Sequence, residues 1–512
     1  MTAWPPPPDR ALVAPACATL PRVSHLLRAA KRAGAAGSAG RPEPAFSPDE
    51  LAAASGGVLV RRGTRPIRGA AVDSRIVRPG ELFVALPGER TDGHRFLAEA
   101  AVAGAAALLV SRAVQPEVLE SLGDVTVVQV RGGLAGLHGV AAAWRARFDP
   151  IVVGVTGSIA KTSAKEAIGV VFGRRWNTLV SEGNQNNEIG LPLTLLRLRR
   201  EHEAAVLEMG MYVGGEIAAL ARMGRPSIGV VTAVQGVHLA RIGSLDAIEG
   251  AKGELVEALP PEGVAILNAD DARVRRMAGR TAARTLLYGF ASDADVRAED
   301  VESAGMDGMR FRLLLPGGAA RRVQVPTLGR LSVHNALAAA AAGVAAGVPV
   351  DTIVEGLAMG WSAPHRTELV RAGGVTVVDD SYNASPGSVL AALDLLGGLP
   401  GRRIAVLGEM LELGPAADMG HRAVGRAAAT VCDLLVVVGT GAAEIGTGAR
   451  EAGLEPGRLH QAVDQEAALE HLRPRLRPGD VILVKASRGI ALDRLVDRLR
   501  DELGPPRRGA TR

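Results

Sequence analysis

The chain of 512 residues is poor in several residue types, and each shortage excludes a class of protein. Its two cysteines, Cys17 and Cys432, provide neither a disulfide framework nor a metal-binding pattern, so we expect a reducing, cytoplasmic location. Aromatic residues make up only 3% of the sequence, the net charge is +5, and the basic residues are scattered without forming a run. These features argue against a nucleic-acid partner. Because no apolar stretch reaches about 18 residues, no membrane insertion is predicted.

Lysine and asparagine are scarce as well, with five lysines against 54 arginines and only seven asparagines. Arginine can replace lysine as a solvated surface charge, so the remaining lysines are expected where only lysine functions. The lysines are Lys31, Lys161, Lys165, Lys252 and Lys485, and the asparagines are Asn177, Asn184, Asn186, Asn187, Asn268, Asn335 and Asn383. We therefore expect functional residues to be more frequent among these lysines and asparagines than among the arginines.

Short β-branched runs alternate with Ala-rich helical stretches, which predicts an α/β fold with mostly parallel sheets. At ~100–200 residues per domain, the length predicts about three domains, which we place at 46–149, 150–362 and 363–505. Residues 1–45 are rich in Pro, Ala, Gly and Arg, and we expect a disordered tail there rather than a signal peptide. Residues 281–328 are predicted to form an antiparallel excursion. The predicted buried strands are 151–155, 204–207, 228–231, 264–267, 375–378, 404–407, 434–438 and 481–484.

Polar residues follow many of these runs at the point where each strand would end. Glu208, Asn268, Asp380 and Lys485 are examples. Open α/β sheets bind ligands outside the carboxyl ends of their strands. These residues are therefore candidates for a binding site.

A glycine-rich loop follows the first of the central runs, where residues 154–163 read GVTGSIAKTS before a helix predicted to start near Ser163. This order is typical of a loop that holds phosphate oxygens with backbone N–H groups. Lys161 is expected to reach the β- and γ-phosphates, and the Thr162 hydroxyl to bind Mg²⁺. Ala160 stands where the last glycine is usual, at a cost of ~1–2 kcal/mol if the position needs a positive φ. The loop predicts a nucleoside triphosphate site.

The loop resembles the Mur ligase pattern Gly-x-Thr-Gly-x-x-Gly-Lys-Thr, with only Ala160 out of place. Other segments resemble the same family and favour its D-alanyl-D-alanine-adding branch, MurF. The resemblance covers roughly residues 48–500. The segments are AVDSRIVRPGELFVALPGERTDGH (71–94), SEGNQNNEIGLPLTLLRL (181–198), LEMGMYVGGEIA (207–218), AKGELVEALPPEGVAILNADD (251–271), VVDDSYNASPGS (377–388) and LGEMLELG (407–414).

The resemblance implies a small α/β N-terminal domain that holds a UDP-linked substrate, a central P-loop ATPase domain and a C-terminal Rossmann-like ligase domain. The implied enzyme is an ADP-forming carboxylate–amine ligase of peptidoglycan precursor synthesis. It would activate UDP-MurNAc-tripeptide as an acyl phosphate and join it to D-Ala-D-Ala. The implied cofactors are ATP, two Mg²⁺ ions and a carbamylated Lys252, and we expect a monomer acting on small molecules.

The resemblance also assigns roles to individual residues. Lys161, Glu208, His238 and Lys252 match the family's catalytic residues, and Thr162, Glu208, His238 and Lys252 its metal ligands. Arginine cannot form the carbamate, which fits the survival of a lysine at position 252. The implied nucleotide contacts are Gly154, Thr156, Gly157, Ser158, Ile159, Ala160, Lys161, Thr162, Ser163, Asn268, Asn335, Arg366 and Asp380. The implied substrate contacts are Asp73, Ser74, Arg75, Asn184, Asn186, Asn187, Tyr382, Asn383, Lys485 and Arg488.

The chain departs from the family pattern at positions that bear on nucleotide affinity and rate, and none is a predicted metal ligand. Two alternatives stay open: a Mur-type ligase that adds another amine, such as lysine or diaminopimelate, and a homologue that binds nucleotide without turnover. A GTPase or kinase is disfavoured because no guanine-reading N-K-x-D motif is near the loop. The departures are Ala160, Ala233, Gly236, Leu331, Ser332 and Ala486.

Overall fold

Three β-sheets organise the part of the chain that the computed structural model describes, which is residues 43–88, 91–236 and 242–504. The sheets carry apolar clusters on their two faces, as expected for strands that are covered on both sides by helices. The predicted α/β fold is confirmed. No helix in the described ranges is long and apolar enough to cross a membrane.

The N-terminal sheet has five strands, and all its pairs are parallel except the one at the edge that involves its first strand. The strands are β1 (Val58–Arg61), β2 (Ala70–Ala71), β3 (Leu82–Val84), β4 (Ala107–Val110) and β5 (Thr126–Gln129), in the order β1-β5-β4-β3-β2. The helices are α1 (Pro48–Ser55), α2 (Leu97–Val102), α3 (Pro116–Ser121) and α4 (Gly133–Arg145).

The central sheet has nine strands, in the order β14-β13-β12-β11-β10-β9-β6-β8-β7, with these bounds: β6 (Ile151–Thr156), β7 (Thr178–Val180), β8 (Ala204–Glu208), β9 (Ile228–Val231), β10 (Val264–Asn268), β11 (Arg284–Gly289), β12 (Val296–Ser303), β13 (Met309–Leu314) and β14 (Ala320–Val325). The helices are α5 (Lys161–Gly173), α6 (Gly190–Leu195), α7 (Glu216–Gly224), α8 (Leu245–Glu257), α9 (Ala272–Arg276), α10 (Arg330–Ala346) and α11 (Val350–Met359).

The C-terminal sheet has six strands, and all its pairs are parallel except the one that involves its first strand. The strands are β15 (Glu368–Ala372), β16 (Val375–Asp379), β17 (Arg403–Gly408), β18 (Leu434–Val438), β19 (Leu459–Ala462) and β20 (Val481–Lys485), in the order β15-β16-β20-β17-β18-β19. The helices are α12 (Pro386–Gly397), α13 (Ala417–Val431), α14 (Ala443–Glu451), α15 (Gln465–Leu472) and α16 (Asp493–Leu503).

All eight apolar runs predicted to be strands are strands, because β-branched runs of this length fit positions buried on both faces. The antiparallel excursion predicted over 281–328 is only partly correct. There, β11 and β12 extend the parallel sheet, whereas β13 pairs antiparallel with both β12 and β14. Each sheet lies within one predicted domain, and the domain limits themselves stay predictions.

Shared cores join the sheets and create the cleft in which the site lies. Trp144 of α4 packs in one apolar cluster with Leu191 and Leu195 of α6, and its indole Nε1 donates to the Leu198 carbonyl at 3.1 Å. Leu328, which precedes α10, packs in the core of the C-terminal sheet. The central domain thus packs against both the N-terminal and the C-terminal domain.

Candidate active site

The phosphate loop follows β6, which lies between β8 and β9 in the central sheet. Gly157 takes a φ of 152°, and a Cβ on it would lie 1.8 Å from Thr232 Oγ1. That space is filled by the Thr232 hydroxyl, which donates to the Ile159 carbonyl at 2.6 Å. Only glycine fits at position 157, because any side chain would collide with the threonine that holds the loop.

The segment leaving β9 holds the rest of the loop through main-chain groups. Ser158 N donates to the Ala233 carbonyl at 2.8 Å. Ser158 Oγ donates to the Gln235 carbonyl at 3.0 Å and accepts from Gln235 N at 2.9 Å. Since Ala233 contributes only its carbonyl, the departure from the family pattern at this position does not remove the contact. The loop is pre-organised for an anionic ligand.

Ala160 adopts the left-handed conformation, with φ 64° and ψ −3°, and is the N-cap of α5. The helix therefore begins at Lys161, two residues before the predicted start. A side chain in this region costs ~1–2 kcal/mol relative to the right-handed one. The first turn of α5 follows directly, and its unbonded N–H groups and dipole favour phosphate.

Thr162, Glu208 and Asn186 form a cluster beside the loop. Thr162 Oγ1 donates to Glu208 Oε1 at 3.0 Å, and Asn186 Nδ2 donates to the same oxygen at 2.7 Å. Glu208 is fully buried, and its other oxygen, Oε2, has no hydrogen-bond partner among the described residues. A buried carboxylate oxygen without a partner is costly unless a ligand satisfies it. A carboxylate oxygen beside a hydroxyl is a donor set that suits Mg²⁺.

Lys161 and Lys252 lie near this cluster, and both have lowered pKa values. Burial lowers the pKa of Lys161, with a smaller contribution from Arg366, while Glu208 opposes the shift. Burial lowers the pKa of Lys252 well below its usual range, and the charge of Lys161 lowers it further. A lowered pKa makes a lysine amine easier to deprotonate, and the shift is the larger one for Lys252.

One cavity of about 610 Å³ is lined by Lys161, Lys252 and Asn186, whereas Thr162 and Glu208 are buried beside it and do not line it. Its walls come from the domains of all three sheets, so residues of the phosphate loop, of α4 and of the C-terminal domain face one volume. The predicted site residues that line it are Gly157, Ser158, Ile159, Ala160, Lys161, Ser163, Asn184, Asn186, Asn187, Lys252, Arg366, Asp380, Tyr382, Asn383 and Lys485.

The wall from the C-terminal domain carries two cations, Arg366 and Lys485. The Arg366 guanidinium lies 4.1 Å from the centroid of the Tyr382 ring. Lys485 Nζ forms an ion pair with Asp380 Oδ2 at 2.6 Å and donates to the Asn383 carbonyl at 2.8 Å. Cations fixed in this way favour anionic ligands in the cleft.

Three family models match the chain in succession: "Mur ligase family, catalytic domain" over residues 66–139, "Mur ligase middle domain" over 155–343, and "Mur ligase, glutamate ligase domain" over 365–488. A Mycobacterium tuberculosis protein named UDP-N-acetylmuramoyl-tripeptide--D-alanyl-D-alanine ligase is 38% identical over 467 residues, which are 83% of this chain and 91% of that protein. The chain belongs to the Mur ligase family.

Solved Mur ligase structures match as well. A MurF crystal structure from Acinetobacter baumannii superposes with a TM-score of 0.80 at 28% identity, covering 90% of this chain and 99% of that one. A MurF ligase from Thermotoga maritima in complex with ADP gives a TM-score of 0.75 at 28% identity, covering 85% and 98%. The predicted family, its MurF branch and the ATP-dependent ligase class are confirmed.

Two residues predicted from the Mur ligase resemblance to contact the nucleotide, Asn268 and Asn335, do not line the cavity. Asn268 Nδ2 donates to the Thr232 carbonyl at 2.8 Å, and its Oδ1 accepts from Asp270 N at 2.9 Å. The amide of Asn268 therefore braces the end of β10 against the loop segment. Asn335 is buried in α10. Nucleotide contacts by Asn268 and Asn335 stay predictions.

Three further predicted residues border the site without lining the cavity. Gly154 and Thr156 are buried in β6, and a Cβ on Gly154 would lie 2.9 Å from Leu255 Cδ1. Gly154 thus makes room for α8, the helix that carries Lys252. The Arg488 guanidinium lies 5.7 Å from the centroid of the Tyr382 ring.

Three predicted substrate contacts, Asp73, Ser74 and Arg75, lie in the N-terminal domain and do not line the cavity. Asp73 pairs with Arg75 at 2.6 Å, and this bonding lowers the pKa of Asp73 to about 2. Ser74 Oγ donates to Glu99 Oε2 at 3.3 Å. His238, the predicted ligand to a second metal, lies outside the described residues.

Two residues of α4 that were not predicted from the sequence also line the cavity, Leu134 and His138. His138 Nε2 donates to the Glu188 carbonyl at 2.7 Å, which ties the N-terminal domain to the loop after β7. No motif marked them, because their position depends on how α4 packs against the central domain.

Proposed function

We propose that this Mur ligase joins D-Ala-D-Ala to UDP-MurNAc-tripeptide. The γ-phosphate of ATP is transferred to the tripeptide carboxylate, which gives an acyl phosphate and ADP. The amine of D-Ala-D-Ala then attacks the acyl carbon and displaces phosphate, which leaves a new amide bond. The observation that carries the proposal is the single cavity that joins the phosphate loop, the asparagine-rich loop after β7 and the Arg366–Lys485 wall.

The residues of this chain divide the work. The loop N–H groups, the start of α5 and Lys161 hold the triphosphate and orient its γ-phosphate toward the carboxylate. Arg366 and Asp380 contact the nucleotide from the C-terminal side, and Asn383 with Tyr382 binds D-Ala-D-Ala. The ADP found in the Thermotoga maritima relative supports this use of the loop.

The free oxygen of Glu208 and the Thr162 hydroxyl fit one Mg²⁺, and His238 with a carbamylated Lys252 is proposed for a second. When bound, the ions neutralise charge on the transferring phosphoryl group. The lowered pKa of Lys252 supports the carbamate, because a neutral amine can add CO₂ and release a proton. The carbamate of Lys252 is an anion, whereas an arginine at position 252 would be a cation.

The carbamate has a test of its own. A ¹³C NMR spectrum of the protein in ¹³C-bicarbonate should show one carbamate signal that is absent in Lys252→Arg, and this variant should lose activity although it keeps a positive charge. An active Lys252→Arg enzyme would contradict the role of the carbamate.

The amine is tested by a screen. ADP and phosphate release are measured with ATP, UDP-MurNAc-tripeptide and a panel of amines that includes D-Ala-D-Ala, lysine and diaminopimelate. Release is expected with D-Ala-D-Ala, and dependence on a single amino acid instead would rule out the proposal. Reaction in the cytoplasm by a monomer completes the proposal and is tested by fractionation and by light scattering.

Turnover is tested with a matched pair of variants. Lys161→Ala should abolish amine-dependent ADP release, because it removes the cation that contacts the phosphates. Arg174→Ala removes a solvent-exposed cation just after the C-terminal end of α5 and should leave the rate unchanged. Equal rates in both variants would contradict the role of Lys161, and no amine-dependent release in the wild type would favour a protein that binds nucleotide without turning it over.

A further inference from the structure

Lys165 is a lysine that the proposed mechanism does not use. It lies one turn after Lys161 on α5, and its side chain is completely buried. It is one of only five lysines in a chain that otherwise uses arginine. A long cationic side chain is rarely fully buried unless its polar end is well bonded.

The partners of Lys165 are main-chain carbonyls of the segment that leaves β7. Its Nζ donates to the Ser181 carbonyl at 2.6 Å, reaches the Gly183 carbonyl at 3.5 Å and pairs with Glu166 at 2.7 Å. Both carbonyls follow Val180, the last residue of β7. Lys165 therefore fixes the start of the loop of residues 181–187 to the helix that follows the phosphate loop.

That loop bonds in two ways to Glu208, the carboxylate proposed to bind Mg²⁺. Ser181 Oγ accepts from the backbone N of Glu208 at 3.2 Å. Asn186 Nδ2 donates to Glu208 Oε1 at 2.7 Å, and the Asn186 carbonyl accepts from Gly210 N at 2.8 Å. Asn186 and Thr162 both donate to Glu208 Oε1, so Glu208 Oε2 is left free for a cation.

We infer that Lys165 is a positioning residue that anchors the loop of residues 181–187 and, through Ser181 and Asn186, sets the orientation of Glu208. It couples the nucleotide end of the cleft to the loop that binds the UDP-linked substrate. Arginine does not replace it, because a planar guanidinium is bulkier than the ammonium that this closed site accommodates. The substrate half of this role rests on the proposed function, whereas the metal half does not.

The experiment compares two variants. Lys165→Met removes all the polar contacts of Lys165, whereas Glu166→Gln removes only its ion pair and leaves its bonds to the Ser181 and Gly183 carbonyls. ADP affinity is measured with and without Mg²⁺, together with KM for UDP-MurNAc-tripeptide. In Lys165→Met, the Mg²⁺ concentration for half-maximal ADP binding and the KM should each rise about 10- to 100-fold, with Mg²⁺-free ADP affinity within about twofold of wild type. Glu166→Gln should match wild type.

A double-mutant cycle separates positioning from a merely structural role. If Lys165 acts through Asn186, the effects of Lys165→Met and Asn186→Ala on Mg²⁺-dependent binding are less than additive. Full additivity would overturn the inference. So would wild-type Mg²⁺ dependence in folded Lys165→Met, or an equal loss of ADP affinity with and without Mg²⁺.

Lys165→Gln, which keeps one donor at shorter reach, serves as a second variant in case Lys165→Met does not fold. It should show the same shift in Mg²⁺ dependence at a smaller size, and failure of both variants to fold would make Lys165 a stability residue only. The Mg²⁺ measurement needs no amine. If the wild-type protein does not react with D-Ala-D-Ala and Lys165→Met still shows the predicted shift in Mg²⁺ dependence, the proposed substrate is refuted and the role of Lys165 is not.

Discussion

Replacing Ala160 with glycine should stabilise the protein, although alanine-to-glycine changes usually destabilise. Ala160 has a φ of 64°, where its Cβ costs ~1–2 kcal/mol. Glycine removes that cost but loosens the unfolded chain, which offsets about 0.4–1 kcal/mol. The net expectation is a gain of about 0.5–1 kcal/mol for the ligand-free protein. ADP affinity should be at least equal to that of wild type, since glycine holds the same loop conformation without strain.

The matched control is Ala358→Gly, on an exposed position of α11 with ordinary helical geometry. There the same chemical change should cost about 0.5–1 kcal/mol. Thermal unfolding of both variants measures the contrast, which corresponds to midpoint shifts of about 1–4 °C in opposite directions. If Ala160→Gly lowers the midpoint as much as the control does, position 160 is not left-handed in the folded protein and the argument fails.

Three further changes test other parts of the structure. Glu208→Gln should lower Mg²⁺-dependent ATP turnover at least about 100-fold, because the free oxygen loses its charge, while ADP binding without Mg²⁺ is kept; normal turnover at ordinary Mg²⁺ would contradict the metal assignment. Gly157→Ala should destabilise by about 1–3 kcal/mol and weaken ADP binding, whereas Gly173→Ala, where a Cβ meets nothing within 4 Å, should do neither; calorimetry measures both. The rings of His460 and His471 stack at 3.5 Å, and burial, with His460 adding to it, lowers the pKa of His471 to about 4. Between about pH 6.5 and 4 the unfolded chain therefore binds a proton at His471 that the folded chain does not bind. The free energy of unfolding falls by about 1 kcal/mol as the pH drops through that window. In urea unfolding, His471→Gln should show a flatter pH dependence of this free energy than the wild type.

Most of the fold was predictable because its signals are local. Eight apolar runs identified strands, since a strand buried on both faces must be continuously apolar wherever it lies in the sheet. The order of glycine, lysine and hydroxyl residues identified the phosphate loop in the same way. The failure at 281–328 has a matching cause: β11 and β13 have similar composition, and only their partners decide whether they pair parallel or antiparallel.

The site was predictable in its residue types and less so in its contacts. Scarcity drew attention to Asn268 equally with Asn186, yet the structure bonds Asn268 to the loop segment and places Asn186 on Glu208. Lys165 carried the same signal as Lys161, and nothing local distinguishes a lysine that lines a cavity from one that ties two elements together.

The sequence by itself determined which segments form strands, which loop is predicted to bind phosphate, and the family to which the chain belongs. Tertiary structure alone decided the left-handed backbone of Ala160, the closeness of Gly157 to Thr232, and the free oxygen of Glu208. The physical reason is distance along the chain. Periodicity and loop motifs act within a few residues, whereas each of these features depends on groups that only the packed sheet and its neighbouring helices bring together.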